Sequence, residues 1–135
     1  MKYRSHGNFF SLPNEIFLWG LNSGAFAVYS FLRRCEDRKT HQCWPSIKTI
    51  GKAVNMSENT VRKYIRQLEE RGIIATEPTE IITKAGEKRN GNLLFTLRPI
   101  QEVIDEYYAR QMDEMELMVE RQRVAKLLAK QENPA

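Results

Sequence analysis

Between Ser46 and Gly72 the sequence holds two short amphipathic segments separated by a break too brief to be a loop. Ile47, Ile50 and Val54 recur at helical spacing, and Val61, Ile65 and Leu68 do the same with Tyr64 beside them. Asn55-Met56-Ser57 lies between the two runs. Asparagine tolerates the left-handed backbone that a tight turn needs, and Ser57 can cap a following helix. Two helices joined this closely must cross at short range, and Gly51 supplies a small residue near the crossing. These requirements, met together, predict a helix-turn-helix. Its first helix is capped by Ser46, since Pro45 cannot sit inside a helix. Its second runs from about residue 58 to residue 71 and is stopped by Gly72.

The rest of the chain supplies what such a motif packs against. Phe9 to Phe17 is apolar enough to join a core, with Pro13 suited to the first turn of a short helix. Ser23 is the expected cap of a helix reaching about residue 34, with Phe26, Ala27, Tyr29, Ser30 and Phe31 as its buried face. Residues 35–40 read as a polar loop. After the motif the period changes. Ile73-Ile74-Ala75-Thr76 and Asn92-Leu93-Leu94-Phe95-Thr96-Leu97 read as two strands around a polar, glycine-containing loop, which makes a hairpin. Pro99 ends the second strand, and a long helix follows to about residue 131. The expected fold class is mainly α: a winged helix-turn-helix of three helices and a two-stranded wing, with a long C-terminal helix. The expected domains are 1–99, the winged body, and 100–135, the tail helix.

Charge divides along the same line. Residues 1–99 carry 16 Lys/Arg against 9 Asp/Glu, whereas residues 100–135 carry 5 against 8. A basic body with an acidic tail points to a polyanion for the body and a different role for the tail. On charge alone, a merely solubilising excess is an equal alternative.

The outer face of the second motif helix narrows this. Stepping about 100° per residue from an inward Val61 turns Asn59, Arg62, Lys63 and Arg66 outward. In a major groove, Arg and Lys reach guanine edges and Asn bonds adenine; the same cations can instead hold phosphates. Lys84, Lys88 and Arg89 near the hairpin tip form a second candidate contact, diluted by Glu80 and Glu87. Ser46, Lys48, Thr49 and Lys52 flank the first motif helix and can reach backbone phosphates. Ser57 and Thr60, at the start of the second, complete the candidate set.

The stretch from Phe9 to about Pro99 resembles the winged helix-turn-helix proteins of Gram-positive bacteria and of their plasmids and conjugative elements. The shared residues are Leu12-Pro13-Asn14-Glu15-Ile16-Phe17, Cys43-Trp44-Pro45-Ser46, Thr60-Val61-Arg62-Lys63-Tyr64 and Leu68-Glu69-Glu70-Arg71-Gly72-Ile73-Ile74. The last of these is also similar to the end of the recognition helix in GntR-type and MarR-type regulators. The resemblance implies a bacterial DNA-binding module of the kind used in transcription regulators and plasmid replication initiators. Nothing in the chain is similar to a GntR effector domain, so no small-molecule effector is expected.

Other chemistries find little support. Cys35, His41 and Cys43 lie close in sequence, but a zinc site needs a fourth ligand and tighter cysteine pairs; His6 is the only other histidine. Two cysteines make no disulfide scaffold. No phosphate-binding glycine loop appears, and the carboxylates are scattered and mostly in the tail. Tyr29 and Tyr64 sit on apolar faces and read as core. No cofactor, metal or enzymatic activity is expected. No apolar run reaches the ~20 residues that a membrane helix needs, and Met1-Lys2-Tyr3-Arg4 opens no signal-type stretch, so the expected location is the cytoplasm.

The tail carries a charge-free seam of Ile104, Tyr108, Gln111, Met115, Met118, Gln122, Ala125 and Ala129, stepping by four and three. That rhythm predicts a homodimer through the C-terminal helix, parallel or antiparallel. The alternative is a helix folding back on the winged body through Tyr107 and Tyr108. The leading expectation is a double-stranded-DNA-binding transcription regulator. The alternatives are a replication-initiation or partition protein of a mobile element, and an interaction module without DNA binding.

Overall fold

The computed structural model of the chain describes residues 8–132. Met1 to Arg4, His6 and the closing Asn133-Pro134-Ala135 lie outside the described residues, as do the corresponding ends of the expected domains. The chain divides between Ile100 and Gln101 into two compact units.

The first unit opens with a 3-10 turn over Asn14–Leu18. Pro13 stands just before it with extended backbone, one place earlier than expected. Helix α1 spans Ser23–Cys35 and is capped by Asn22, whose Oδ1 accepts from the Ala25 amide at 2.9 Å. Ser23 is therefore the first helical residue and not the cap. The buried face also differs from expectation. Gly24, Ala25, Val28, Tyr29 and Leu32 are buried, whereas Phe26, Ala27, Ser30 and Phe31 are only half covered. Residues 25, 28, 29 and 32 follow the three-and-four spacing of one helical stripe; the expected set was offset around the helix from it. Phe26 instead stacks on the exposed Phe17, with ring centroids 5.5 Å apart.

Residues 36–41 turn back through a left-handed His41 (φ 59°), with Asp37 Oδ1 accepting from the Lys39 amide at 2.7 Å. Strand β1, Gln42–Cys43, follows. It was not foreseen, because two residues carry no readable period. Helix α2 spans Ile47–Val54 and helix α3 Glu58–Glu70. Gly72 follows α3 at φ 71°, the left-handed stop its sequence position predicts.

Strand β2 (Ile74–Glu77) pairs with β5 (Leu94–Leu97), and β1 pairs with the other edge of β5, all antiparallel. Phe95 stands between Cys43 and Thr76 in this sheet and is fully buried. The segment expected to be loop contains a second ladder, β3 (Glu80–Ile82) on β4 (Lys88–Asn90), turning through Gly86 at φ 79°. Both strands are exposed on both faces, so no polar–apolar alternation marks them; backbone pairing carries the hairpin outward. The wing is thus longer than expected, and its base is three-stranded.

Helix α1 packs against both α2 and α3, and α2 against α3. Val28, Leu32, Ile50, Val61, Leu68 and Phe95 have no exposed surface. Each such burial contributes about 1.5–3 kcal/mol relative to exposure.

Helix α4 spans Ile100–Glu132, and all of it after Ile100 belongs to the second unit. At 1.5 Å per residue it is about 50 Å long. Every residue from 108 to 132 is exposed. No helix among the described residues is long and apolar enough to cross a membrane.

Candidate nucleic-acid interface

The turn between α2 and α3 is fixed from both sides. Asn55 adopts the left-handed conformation (φ 58°, ψ 49°), as its sequence position predicts. The Met56 amide donates to the Gly51 carbonyl at 2.9 Å. A β-carbon on Gly51 would lie 2.7 Å from the Met56 carbonyl oxygen, so only glycine lets the chain turn back so tightly. Gly24 plays a second such part that the sequence did not reveal. A β-carbon there would fall 2.2 Å from the Tyr64 ring, which lies over this point of α1.

Both motif helices begin on serine caps. Ser46 Oγ accepts from the Thr49 amide at 3.0 Å and donates to Thr49 Oγ1 at 2.8 Å. Ser57 Oγ accepts from the Thr60 amide at 3.2 Å and lies 2.8 Å from Thr60 Oγ1. These four hydroxyls close the first turns of α2 and α3, so each has structural work whatever else it touches.

The cations stand clear of that scaffold. On α3, Val61, Ile65 and Leu68 are buried while Asn59, Arg62, Lys63 and Arg66 are exposed. Arg62 is partly oriented by its own helix: it donates to Asn59 Oδ1 at 3.2 Å and lies 3.8 Å from the Glu58 carboxylate. The Lys63 ammonium is 5.5 Å from the Tyr64 ring centroid. On α2, Lys48, Thr49 and Lys52 are exposed and Ile50 is buried. The two helices therefore offer exposed basic residues opposite their shared core.

The wing arranges its charges differently from the expected cluster. Lys84 is in the turn, whereas Lys88 and Arg89 are successive residues of β4. Successive strand residues point to opposite faces, so the ladder separates these two cations. Lys88 shares a face with its cross-strand partner Ile82, and Arg89 with Ile81. Arg89 also lies 3.5 Å from the Glu87 carboxylate. The neck of the wing is held by residues that sequence reasoning did not single out. The Gly91 amide donates to the Thr79 carbonyl at 2.7 Å, and Asn92 Nδ2 donates to the Trp44 carbonyl at 3.1 Å. The second bond ties the wing to the chain leading into α2. Its sequence signal, an Asn beside Gly91, reads as a turn and not as a long-range tie.

The displaced pKa values lie away from this face. Burial pushes the Cys43 thiol up to about 12, reinforced by Cys35 and Glu36. Burial also lifts the Tyr29 phenol to about 12, against the Arg33 charge and with that of Glu36. Cys43 is buried and Cys35 half covered. Among the described residues no group of three His, Cys, Asp or Glu side chains could hold a metal ion.

A helix-turn-helix whose second helix runs into an antiparallel hairpin defines a winged helix. Residues 20–74 match a family model described as a helix-turn-helix domain. The chain is similar in structure to a possible transcriptional regulator from Methanosarcina mazei, with a TM-score of 0.51 at 14% identity over 76% of this chain and 80% of that one. Looser likenesses include a MarR family transcription regulator (TM-score 0.44, 18% identity, 86% of this chain and 68% of that one). Another is a MarR family regulator from Silicibacter pomeroyi (TM-score 0.40, 18% identity, 87% and 74%). At these identities the likeness is one of fold. No curated protein sequence matches the chain.

Proposed function

We propose that this protein binds double-stranded DNA as a transcriptional regulator, laying α3 in the major groove. The observation that carries the reading is the outer face of α3, where Asn59, Arg62, Lys63 and Arg66 are exposed behind a buried Val61–Ile65–Leu68 stripe. Arg and Asn on such a helix match guanine and adenine edges. Lys48, Thr49 and Lys52 on α2, with the hydroxyls of Ser46, Ser57 and Thr60, are suited to phosphate oxygens, which set register without reading sequence. Lys84, Lys88 and Arg89 give the wing a second approach to the backbone. A homodimer joined through α4 would present two recognition helices to two half-sites. The reading requires no cofactor, metal, small-molecule effector or catalytic group, and it implies a cytoplasmic protein. The resemblance over residues 9–99 favours a bacterial or mobile-element setting, where the same module also serves replication initiators.

The test is the salt dependence of affinity for duplex DNA. Each phosphate contact adds roughly −0.9 to the slope of log affinity against log salt. The triple variant Arg62→Ala, Lys63→Ala, Arg66→Ala should stay folded and bind far more weakly. Unchanged affinity in that variant would overturn the recognition-helix assignment.

A further inference from the structure

Helix α4 is the largest exposed feature that the proposed interface leaves unused. Tyr108, Met112, Met115, Met118 and Val119 are all more than half exposed, at 51–63%. They gather on one side of the helix, along the seam that continues through Gln122, Ala125 and Ala129. The seam therefore changes character along its length. It is bulky in its first half and small in its second. The large residues Leu117, Val124 and Leu128 lie on the far side.

Charge changes along the same axis. Residues 102–120 carry seven Asp/Glu and one basic residue, Arg110. Residues 121–132 carry four Lys/Arg and one acidic residue, Glu132. The helix macrodipole favours acid at the start and base at the end, but only within the first and last turns. It accounts for Glu102 and Lys130 and leaves Asp113, Glu114, Glu116, Arg121 and Arg123 unexplained.

We infer that α4 pairs with α4 of a second copy of this chain in antiparallel orientation. The inference deepens the dimer reading above and rests on it. Antiparallel pairing sets the acidic half of each helix beside the basic half of the other. Parallel pairing sets acid against acid and base against base. Antiparallel pairing also seats Tyr108 on the small Ala129 and Gln111 on Ala125, so the two helices run at an even separation. Parallel pairing would hold them apart at the bulky end and together at the small end. The exposed seam runs from Tyr108 to Ala129, so the two-fold axis falls near Met118. That register puts Gln111 of one copy beside Ala125 of the other, and Glu114, which flanks the seam, beside Arg121.

Disulfide trapping in the full-length protein tests the orientation. Chains carrying Gln111→Cys and Ala125→Cys are mixed and oxidised gently, with the wild-type chain as control for the native thiols. Met115→Cys with Gln122→Cys checks the register to within about one helical position. A disulfide forms only where the Cα atoms approach within about 7 Å, so the antiparallel dimer gives the mixed disulfide in excess of its statistical share. Excess 111–111 and 125–125 disulfides mean parallel pairing and overturn the proposal. So does sedimentation as a monomer at high micromolar concentration with no disulfide from either pair. Duplex-DNA affinity, measured on the same chains when reduced, separates the two readings. Salt-dependent binding without the mixed disulfide removes only the pairing. The mixed disulfide without DNA binding removes the DNA reading and leaves the pairing.

Discussion

Gly51 and Met56 approach each other so closely that a β-carbon on the first would stand 2.7 Å from the carbonyl oxygen of the second. The colliding atom is backbone, held by the Met56-to-Gly51 hydrogen bond, so no side-chain rotation relieves the clash. In an ordinary helix interior, Gly→Ala stabilises by about 1 kcal/mol. Here the sign reverses: Gly51→Ala should destabilise by about 1–3 kcal/mol, the range for overpacking. Urea denaturation checks it, and an unchanged or raised midpoint would refute the tight-crossing account.

Val61 has no exposed surface. Val61→Asp buries a carboxylate with no partner, which costs far more than the domain's margin unless the group stays protonated. The variant should lack a cooperative thermal transition, whereas Arg62→Ala, whose ion pair with Glu58 is exposed, should unfold within a few degrees of wild type. Circular dichroism on the pair distinguishes core from surface on one helix.

Ser57 caps α3 through the Thr60 amide. Ser57→Ala should therefore cost about 1 kcal/mol of stability. Ser57→Asp, which keeps the cap, should recover it. Loss of DNA affinity in the alanine variant without loss of stability would show that the hydroxyl acts on DNA and not on the helix.

Lys88 and Arg89 face opposite sides of the wing, and Glu87 lies beside Arg89 alone. Lys88→Ala should flatten the salt slope of DNA binding by about one phosphate contact, roughly 0.9, and Arg89→Ala by less. Equal losses would mean that the ladder does not govern which cation reaches DNA.

Alkali should weaken the fold. The Cys43 thiol is raised from 9.0 to about 12 and the Tyr29 phenol from 10.0 to about 12, both first by burial. Between those values the unfolded chain has released protons that the folded chain still holds, so stability falls as pH rises. The contribution is complete below pH 9 and lost through pH 12. Denaturation midpoints across that window should decline, and Cys43→Ala should lessen the decline most between pH 9 and 10, where the thiols of the unfolded chain titrate ahead of its phenols; Cys35, whose thiol burial also raises, keeps part of it.

Several elements were legible locally. The α2–turn–α3 segment declared itself because serine caps, a left-handed Asn55 and apolar spacing are properties of neighbouring residues, and each acts over one or two turns. The outward side of α3 followed from the same period, so Asn59, Arg62, Lys63 and Arg66 could be named before any packing was known. The face of α1 was misplaced because Phe26 and Phe31 are as apolar as Val28 and Leu32; only the position of α3, with Tyr64 pressed onto Gly24, decides which side is covered. Strand β1 and the β3–β4 ladder escaped notice because their stability comes from hydrogen bonds to distant partners and not from side-chain pattern.

The sequence alone determined the motif, its caps, the basic outer face and the segregation of charge along α4, because these depend on residues a few positions apart. Tertiary structure alone decided the three-stranded base of the wing, the separation of Lys88 from Arg89 and the tie from Asn92 to Trp44. Those depend on which strands meet and in what register, and a one-residue slip would turn every side chain to the other face.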